Sequence, residues 1–324
     1  MKEYEDSTVL VTGGAGFLGS WLCGSLLKQN AKVICIDNLS SGLLQNIIPF
    51  SLEDTYNFTF INHDISTPFY FGTHTHIDHI FHMASRASPL EFTQFPIQIL
   101  KSNTLGTLNA LGIAKKHNAS LLFTSTSEIY GDTKIIPTPE TYNGNVNPTG
   151  IRGCYDESKR AGEAFCMAYS RQHNVDVRIV RIFNTYGPLM RADGYYGRVI
   201  PRFISQALKG EPITIFGDGL QTRSFCYVSD MIKGLLTFGI KEGLNREVIN
   251  IGHTKEIEIL ELARCIRDMT NSPSEIEFHP LPEGDPYRRC PDIMKAKTLL
   301  NWHPKVSLEK GLNTMIDYMR INNG

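Results

Sequence analysis

Short apolar runs at 7–12, 32–37, 57–65, 77–84, 120–126 and 177–183 are each closed by glycine or polar residues. That pattern predicts buried strands. Between them lie longer segments of helical periodicity, the clearest at 96–117 and 153–173. Strands alternating with helices predict an α/β doubly wound parallel sheet. Beyond Pro188 the rhythm changes to a polar loop at 191–197, a helix ending at Lys209, a strand at 213–216 and the turn Gly217-Asp218-Gly219. A further helix follows, for which Ser229 or Asp230 is the expected cap. The run at 248–252 reads as a strand returning to the first sheet, and a helix at 257–269, a strand at 275–278 and two closing helices complete the chain. The expected organisation is a larger domain of residues 1–187 plus 223–252, interleaved with a smaller α+β substrate domain of residues 188–222 plus 253–324.

The first strand runs into Gly13-Gly14-Ala15-Gly16-Phe17-Leu18-Gly19, which opens a helix. Glycines at 13, 16 and 19 let the backbone turn tightly, approach a pyrophosphate and pack helix on strand, with the phosphates at the positive helix N-terminus. The second strand ends at Asp37, 18 residues beyond Gly19. A carboxylate there accepts hydrogen bonds from adenosine ribose hydroxyls and repels a 2′-phosphate, so the reading is a Rossmann-type site for NAD rather than NADP.

Composition narrows the class further. The chain has 324 residues, a formal net charge of -1, 41% hydrophobic and 20% charged residues, ordinary for a globular enzyme and without a basic block that would suit nucleic acid. Its seven cysteines, at 23, 35, 154, 166, 226, 265 and 290, are odd in number and lack a Cys-x-x-Cys pair, so reduced thiols and a cytoplasmic location are expected. The charged N-terminus, Met1 to Asp6, does not suit a signal peptide, and no run approaches the roughly 18 apolar residues of a membrane span. His74, His76, His79 and His82 form a series that suggests metal. No acid or cysteine stands at a familiar ligand spacing, and strand alternation puts His79 and His82 on opposite sides, so no metal is expected.

The chemistry concentrates in two places. Tyr155 and Lys159, four residues apart on the helix at 153–173, share one face. A phenol has a pKa of about 10, so a base near neutral pH needs it lowered by roughly 3 units, or about 4 kcal/mol, which one ammonium and an oxidised nicotinamide could supply. The fifth strand delivers Thr124-Ser125-Thr126-Ser127-Glu128 to the carboxyl edge of the sheet, where Met83-Ala84-Ser85-Arg86 also ends. A loop at 136–153, rich in proline, asparagine and glycine, is placed to cover that site.

These residues, together with Arg181-Ile182-Phe183-Asn184-Thr185-Tyr186-Gly187-Pro188, Gln221-Thr222-Arg223-Ser224-Phe225 and Arg289-Cys290-Pro291-Asp292, resemble the extended short-chain dehydrogenase/reductase family over almost the whole chain. Within it, the form Gly153-Cys154-Tyr155-Asp156-Glu157-Ser158-Lys159-Arg160 is most similar to the branch that decarboxylates UDP-glucuronate to UDP-xylose. The resemblance implies bound NAD that oxidises C4 of a UDP-sugar and returns the hydride, with Tyr155 as base, Lys159 tuning it, and Thr126 or Ser127 holding the C4 oxygen. It implies Glu128 and Arg289 as the groups governing protonation at C5, and Ser88, Asn184, Val199, Arg223 and Arg289 as substrate contacts. It assigns cofactor contacts to Gly13, Gly16, Phe17, Leu18, Gly19, Asp37, Asn38, Asp64, Ile65, Ala84, Asn103, Tyr155 and Lys159, and implies a homodimer formed through a four-helix interface. Two positions depart from the pattern: Arg86 stands where proline is expected, and the loop at 190–198 is longer. A UDP-glucuronate 4-epimerase would use the same Tyr/Lys/NAD machinery. A 4,6-dehydratase would carry Asp where Ser127 stands, and a non-catalytic NAD-binding protein would not need Tyr155, Lys159, Thr126 and Glu128 together.

Overall fold

Thr8 to Thr12 are β-branched or leucine throughout, and four of these five residues are buried, so strand β1 (Thr8–Thr12) takes neighbours on both sides. The computed structural model describes residues 3–53, 56–72, 75–192, 198–281 and 286–322. In it β1 pairs in parallel with β2 (Lys32–Asp37) on one side and β4 (His79–His82) on the other. The sheet continues through β3 (Phe58–Asn62) at one edge and through β5 (Ser120–Thr126), β6 (Val177–Ile182) and β11 (Val248–Ile251) toward the other. All seven strands are parallel, in the order β11-β6-β5-β4-β1-β2-β3. This is the expected doubly wound sheet, with its topological switch point between β1 and β4.

Helices α1 (Phe17–Leu27), α2 (Ile48–Glu53), α3 (Pro89–Gln94), α4 (Pro96–His117) and α5 (Gly153–His173) belong to the first half of the chain. The alternating side chains of the strands face two separate apolar layers. Val9, Val11, Phe81, Leu122 and Val180 pack with Leu22 and Leu26 of α1 and with Leu235 and Phe238 of α7 (Val228–Ile240), whereas Leu10, Ile80, Leu121, Phe123 and Ile179 pack with Ala110, Ala114 and Cys166 of α4 and α5. Both α4 and α5 stop at an asparagine in the left-handed conformation, Asn118 and Asn174, as do the later helices α8 (Ile259–Thr270) and α9 (Met294–Leu300) at Asn271 and Asn301.

The strands expected at 57–65 and 77–84 are shorter than their apolar runs. Residues 63–65 and 83–84 leave the ladder at its carboxyl edge and turn into the site instead. The remaining segments are β7 (Thr185–Tyr186), α6 (Val199–Lys209), β8 (Ile213–Phe216), β9 (Thr222–Ser224), β10 (Cys226–Tyr227), β12 (Glu256–Glu258), β13 (Ile276–His279), β14 (Arg288–Arg289) and α10 (Leu308–Asn322). They form small sheets β12-β9-β14, β13-β8 and β10-β7. Arg223 lies in β9, opposite Ile257 and Arg289. Helix α7 begins at Val228 after Tyr227, and neither Ser229 nor Asp230 caps it. Asp230 is already inside the first turn, and its carboxylate accepts hydrogen bonds from the backbone N–H groups of Lys305 and Val306, both at 2.7 Å, tying the chain's last segment to the helix.

A buried polar knot fixes the register of β5, β6 and β11 beneath the site. Arg181 donates to both oxygens of Glu163, at 2.9 and 2.8 Å, and to Tyr130 Oη at 2.9 Å. Ser125 Oγ also donates to Glu163, and Tyr130 Oη donates to Asn250 Oδ1 at 2.7 Å. Replacing one member of such a pair strands a charge, so Arg181→Met is expected to cost about 3–5 kcal/mol of stability, measured by denaturant unfolding.

Candidate active site

At the switch point a cavity of about 280 Å³ opens between the glycine turn, the ends of β4 and β5, and α5. Gly13 has φ +73°, and a Cβ there would lie 2.7 Å from Ala84 Cα. A Cβ at Gly19 would strike Gly13 O and come within 2.7 Å of Gly14 Cα. These two glycines are therefore demanded by the protein's own packing. Gly16 is different: its φ of -75° suits any residue, and a Cβ would meet only Gly13 O, at 3.2 Å. Its missing side chain leaves room on the cavity side, at the N-terminus of a helix that has no side-chain cap. An uncapped helix end with backbone open to a cavity fits the pyrophosphate of a dinucleotide.

Phe17, Leu18, Asp37, Asn38, Asp64, Ile65 and Ala84 also line this cavity. The Asp37 carboxylate accepts hydrogen bonds from the backbone N–H groups of Ala15, at 3.0 Å, and Leu39, at 2.8 Å. Burial nevertheless raises its pKa against the pull of those bonds. Asp37 thus holds the glycine turn to the end of β2 while facing the cavity. Asn103 is not brought to the wall. It is fully buried where α4 meets α5 and donates to Ser158 Oγ at 2.9 Å, while the neighbouring Ser102 faces the cavity. Ser88 is also absent from the wall, although Ala87 and Pro89 on either side contribute to it.

Tyr155 and Lys159 enter from α5, as their spacing requires. Tyr155 is buried and stacked on Phe92 with ring centroids 5.1 Å apart. Burial pushes its pKa up to about 12, opposed by the Thr126 side chain and by the Arg198 guanidinium. Lys159 donates from Nζ to Thr124 O at 2.8 Å and lies 6.0 Å from the centre of the Tyr155 ring. Burial also pulls Lys159 down to about 7, with Cys166 and Glu163 opposing. The expected lowering of the tyrosine pKa joins the Lys159 ammonium with a nicotinamide, and burial acts against both partners of the side-chain pair. Both groups are desolvated, and desolvation disfavours phenolate and ammonium alike.

Thr126 caps the single turn at 127–130, its Oγ1 accepting from Glu128 N at 3.2 Å. The Glu128 carboxylate is clamped by ion pairs to both Arg152 and Arg289. Burial would raise its pKa, but Arg289 and Arg152 bring it down to about 2. Arg289 is buried behind Glu128, off the main cavity wall, with Nη1 3.5 Å from Ser127 Oγ. It instead lines a small pocket on that far side, walled also by Arg152 and Asp156.

A second cavity of about 530 Å³ adjoins the first through the shared residues Phe92, Arg152, Asn184 and Arg198. Val199, Arg223, Arg202, Phe216 and Phe225 line it, and Arg223 Nη1 donates to the carbonyls of Thr222, at 2.8 Å, and Tyr287, at 3.2 Å. Arg198 donates to Ala87 O at 2.6 Å, between the two cavities. Sequence reasoning did not single out Arg152, and it quoted Asp156 and Arg198 only within a motif and a loop, without a role of their own. Arg152 and Asp156 stand four residues apart beside Tyr155, a pattern that could have shown them as a charged pair on its helix.

The departure at Arg86 has a structural role. Its side chain pairs with Glu91, lies 4.3 Å from the centre of the Phe95 ring and donates to Ser40 O at 2.8 Å at the cavity rim. Arg191, from the long loop, donates to Ser41 O at 3.1 Å, while residues 193–197 of that loop lie outside the described residues. Of the histidines, His82 is held by the hydroxyls of Thr12 and Thr107, His79 by Ser120, and His76 pairs with Asp78, while His74 is outside the described residues.

Residues 9–252 match the model of the NAD dependent epimerase/dehydratase family. UDP-glucuronic acid decarboxylase 1 of Xenopus tropicalis is 46% identical over 323 residues, 99% of this chain and 74% of that protein. UDP-glucuronic acid decarboxylase 2 of Arabidopsis thaliana is 47% identical over 312 residues, 96% of this chain and 68% of that one. Among solved structures, UDP-glucuronic acid 4-epimerase from Bacillus cereus, in complex with UDP-glucuronic acid and NAD, is 30% identical with a TM-score of 0.84, covering 97% of this chain and 99% of its own. The dTDP-glucose 4,6-dehydratase DesIV from Streptomyces venezuelae, with NAD and TYD bound, is 26% identical with a TM-score of 0.88, covering 98% of each chain.

Proposed function

The chain belongs to the NAD dependent epimerase/dehydratase family, and on that premise we propose that it decarboxylates UDP-glucuronate to UDP-xylose through a 4-keto intermediate. The observation that carries this reading is the identity of about half its residues with UDP-glucuronic acid decarboxylases along 96–99% of the chain, as in 46% over 323 residues. The epimerase alternative has the weaker likeness, 30% identity to the B. cereus enzyme.

NAD, when bound, accepts the hydrogen of C4 as hydride and gives it back at the end of the cycle. Gly13, Gly16, Gly19 and the first turn of α1 hold its pyrophosphate, and Asp37 its adenosine ribose. Tyr155 takes the proton of the C4 hydroxyl, and Thr126, whose hydroxyl acts on the phenol, holds the C4 oxygen in line. The ketone so formed lies β to the C5 carboxylate, so carbon dioxide departs with its bonding electrons delocalised onto the C4 oxygen. Glu128, ionised between two guanidiniums, is a fixed anion at the sugar end and not a proton donor. Asn184 and Arg223 contact the diphosphate in the larger cavity, a guanidinium fork matching a dianion. Residues 188–222 line that cavity with Met190, Arg198, Val199, Arg202 and Phe216 among others, which supports their assignment to a substrate domain, whereas residues 253–324 contribute Ile259.

Finer points belong to the same proposal. A homodimer pairing α4 and α5 with their counterparts is supported by Leu105, 45% exposed on α4. A cytoplasmic location is supported by seven free cysteines, and no described helix is long and apolar enough to cross a membrane.

Gly16→Ala tests the cofactor assignment. Its melting temperature is expected to stay within about 3 °C of the parent, because the added methyl meets one protein atom, Gly13 O at 3.2 Å, and needs a shift there of only a few tenths of an ångström, while NAD affinity falls at least about tenfold. A cofactor titration beside a thermal melt checks both. The reaction itself is tested with UDP-glucuronate carrying carbon-13 in the carboxyl group: the label should leave as carbon dioxide, and its retention in the nucleotide product would refute the decarboxylase.

A further inference from the structure

Protonation of C5 needs a proton that the groups around C4 do not have to spare. Tyr155 ends the oxidation carrying the C4 proton and must return it when the ketone is reduced. Glu128 is ionised between Arg152 and Arg289. On the far side of that carboxylate lies the small pocket, of about 140 Å³, walled by Arg152, Arg289, Asp156, Gly131 and Asn145. It has room for water. Arg152 is common to this pocket and the main cavity, Glu128 lines the cavity and Arg289 the pocket, so the ion-paired cluster of these three residues joins the two walls.

Asp156 is 96% buried, with a relative exposure of 4%, and its Oδ1 has no hydrogen-bond partner among the described residues. Its Oδ2 is 3.9 Å from Arg152 Nε, beyond hydrogen-bond distance. A buried carboxyl with an unpartnered oxygen is less costly neutral than charged. The charged groups facing it are Arg152 just before its helix, Glu157 on that helix, Glu128 on the turn after β5, and Arg289 on β14, while Asp132 stands on the pocket's loop wall. Burial, then Glu128, raise its pKa to about 7 against Arg152 and Arg289.

We propose that Asp156 is the proton reservoir for C5, loaded from solvent through this pocket and discharged past Arg152 toward the sugar. When carbon dioxide leaves, the electron pair of the broken C5–carboxyl bond lies in a C4–C5 enolate. A proton originating on Asp156 and carried by solvent forms the C5–H bond, the C4 carbonyl is restored, and the Asp156 carboxylate takes a replacement proton from solvent. Asp156 reaches the substrate only through other groups, which makes it a positioning residue. The inference rests on the decarboxylase reading.

The test compares the unmodified protein with Asp156→Asn and Asp156→Glu in single turnovers of carboxyl-labelled UDP-glucuronate with NAD, between about pH 6 and 8. In Asp156→Asn, carbon dioxide release should stay within about threefold of normal while UDP-xylose formation falls at least about tenfold and the 4-ketopentose nucleotide accumulates. Asp156→Glu should restore product formation, and the protonation step of the unmodified protein should slow as the pH rises above about 7, whereas that of Asp156→Asn should not respond to pH. Equal slowing of both rates in Asp156→Asn, or no slowing of either, would overturn the proposal. If Asp156→Asn does not fold, the unmodified protein decides alone, since a protonation step indifferent to pH across that range also overturns it. Absence of labelled gas from the unmodified protein has a different signature and removes the decarboxylase reading itself.

Discussion

Tyr155→Phe is expected to bind NAD and UDP-glucuronate almost as the unmodified protein does and to lose turnover by roughly 10³-fold. The ring stays stacked on Phe92 at 5.1 Å, so the wall of the site survives the substitution. What disappears is the hydroxyl that receives the C4 proton. Because burial holds that phenol at about 12 in the protein alone, it is a poor base until charge near the site favours its ionised form. Phenylalanine has no form of either kind. Cofactor binding followed by fluorescence, beside the rate of UDP-xylose formation, separates the two effects, and near-normal turnover would refute Tyr155 as the base.

Glu128→Gln is expected to separate oxidation from decarboxylation. The substitution preserves shape but leaves Arg152 and Arg289 facing each other without the carboxylate that both of them clasp. Reduction of the cofactor on mixing with UDP-glucuronate should persist, while carbon dioxide release falls by roughly 10²-fold because the two guanidiniums are no longer held in place at the sugar end. An equal loss in both steps would instead mean that Glu128 only maintains the site's shape. The same pair contributes to acid stability. Glu128 has its pKa lowered from 4.5 to about 2 in the folded protein, so its contribution is fully present above about pH 4.5 and is lost as the pH falls toward 2. Denaturant unfolding of the unmodified protein and of Glu128→Gln should therefore converge at low pH.

How far the sequence could be read depended on how local the signal was. The ends of α4, β5, α5 and β8 are legible because long periodic or apolar runs stop at clear punctuation, such as Asn118 and Asn174, whose left-handed conformation closes their helices. Two- and three-residue strands such as β7, β9, β10 and β14 carry no periodicity and were not foreseen. The site followed the same division. The glycine turn, Asp37, Tyr155, Lys159, Thr126 and Glu128 converge on one cavity because each lies near the carboxyl edge of a parallel strand or on the helix facing it.

Asn103 and Ser88 miss the cavity because helix rotation and loop geometry, which a motif does not encode, turn Ser102, Ala87 and Pro89 toward it instead. The ionisation of Glu128 was equally hidden. It depends on Arg152, from just before α5, and Arg289, from a two-residue strand near the end of the chain, and only the folded structure brings both to one carboxylate. The departure at Arg86 also became intelligible only in three dimensions, as a side chain spanning from Glu91 to the carbonyl of Ser40.

On the decarboxylase reading, this chain removes the carboxyl group of its sugar and places a solvent-derived hydrogen at C5. Incubation with UDP-glucuronate and NAD in deuterium oxide, with the nucleotide sugar followed by NMR, tests this directly. The expected product is UDP-xylose carrying one deuterium at C5, formed together with carbon dioxide. UDP-galacturonate with its carboxyl group retained, hydrogen at C5 and no gas would contradict it.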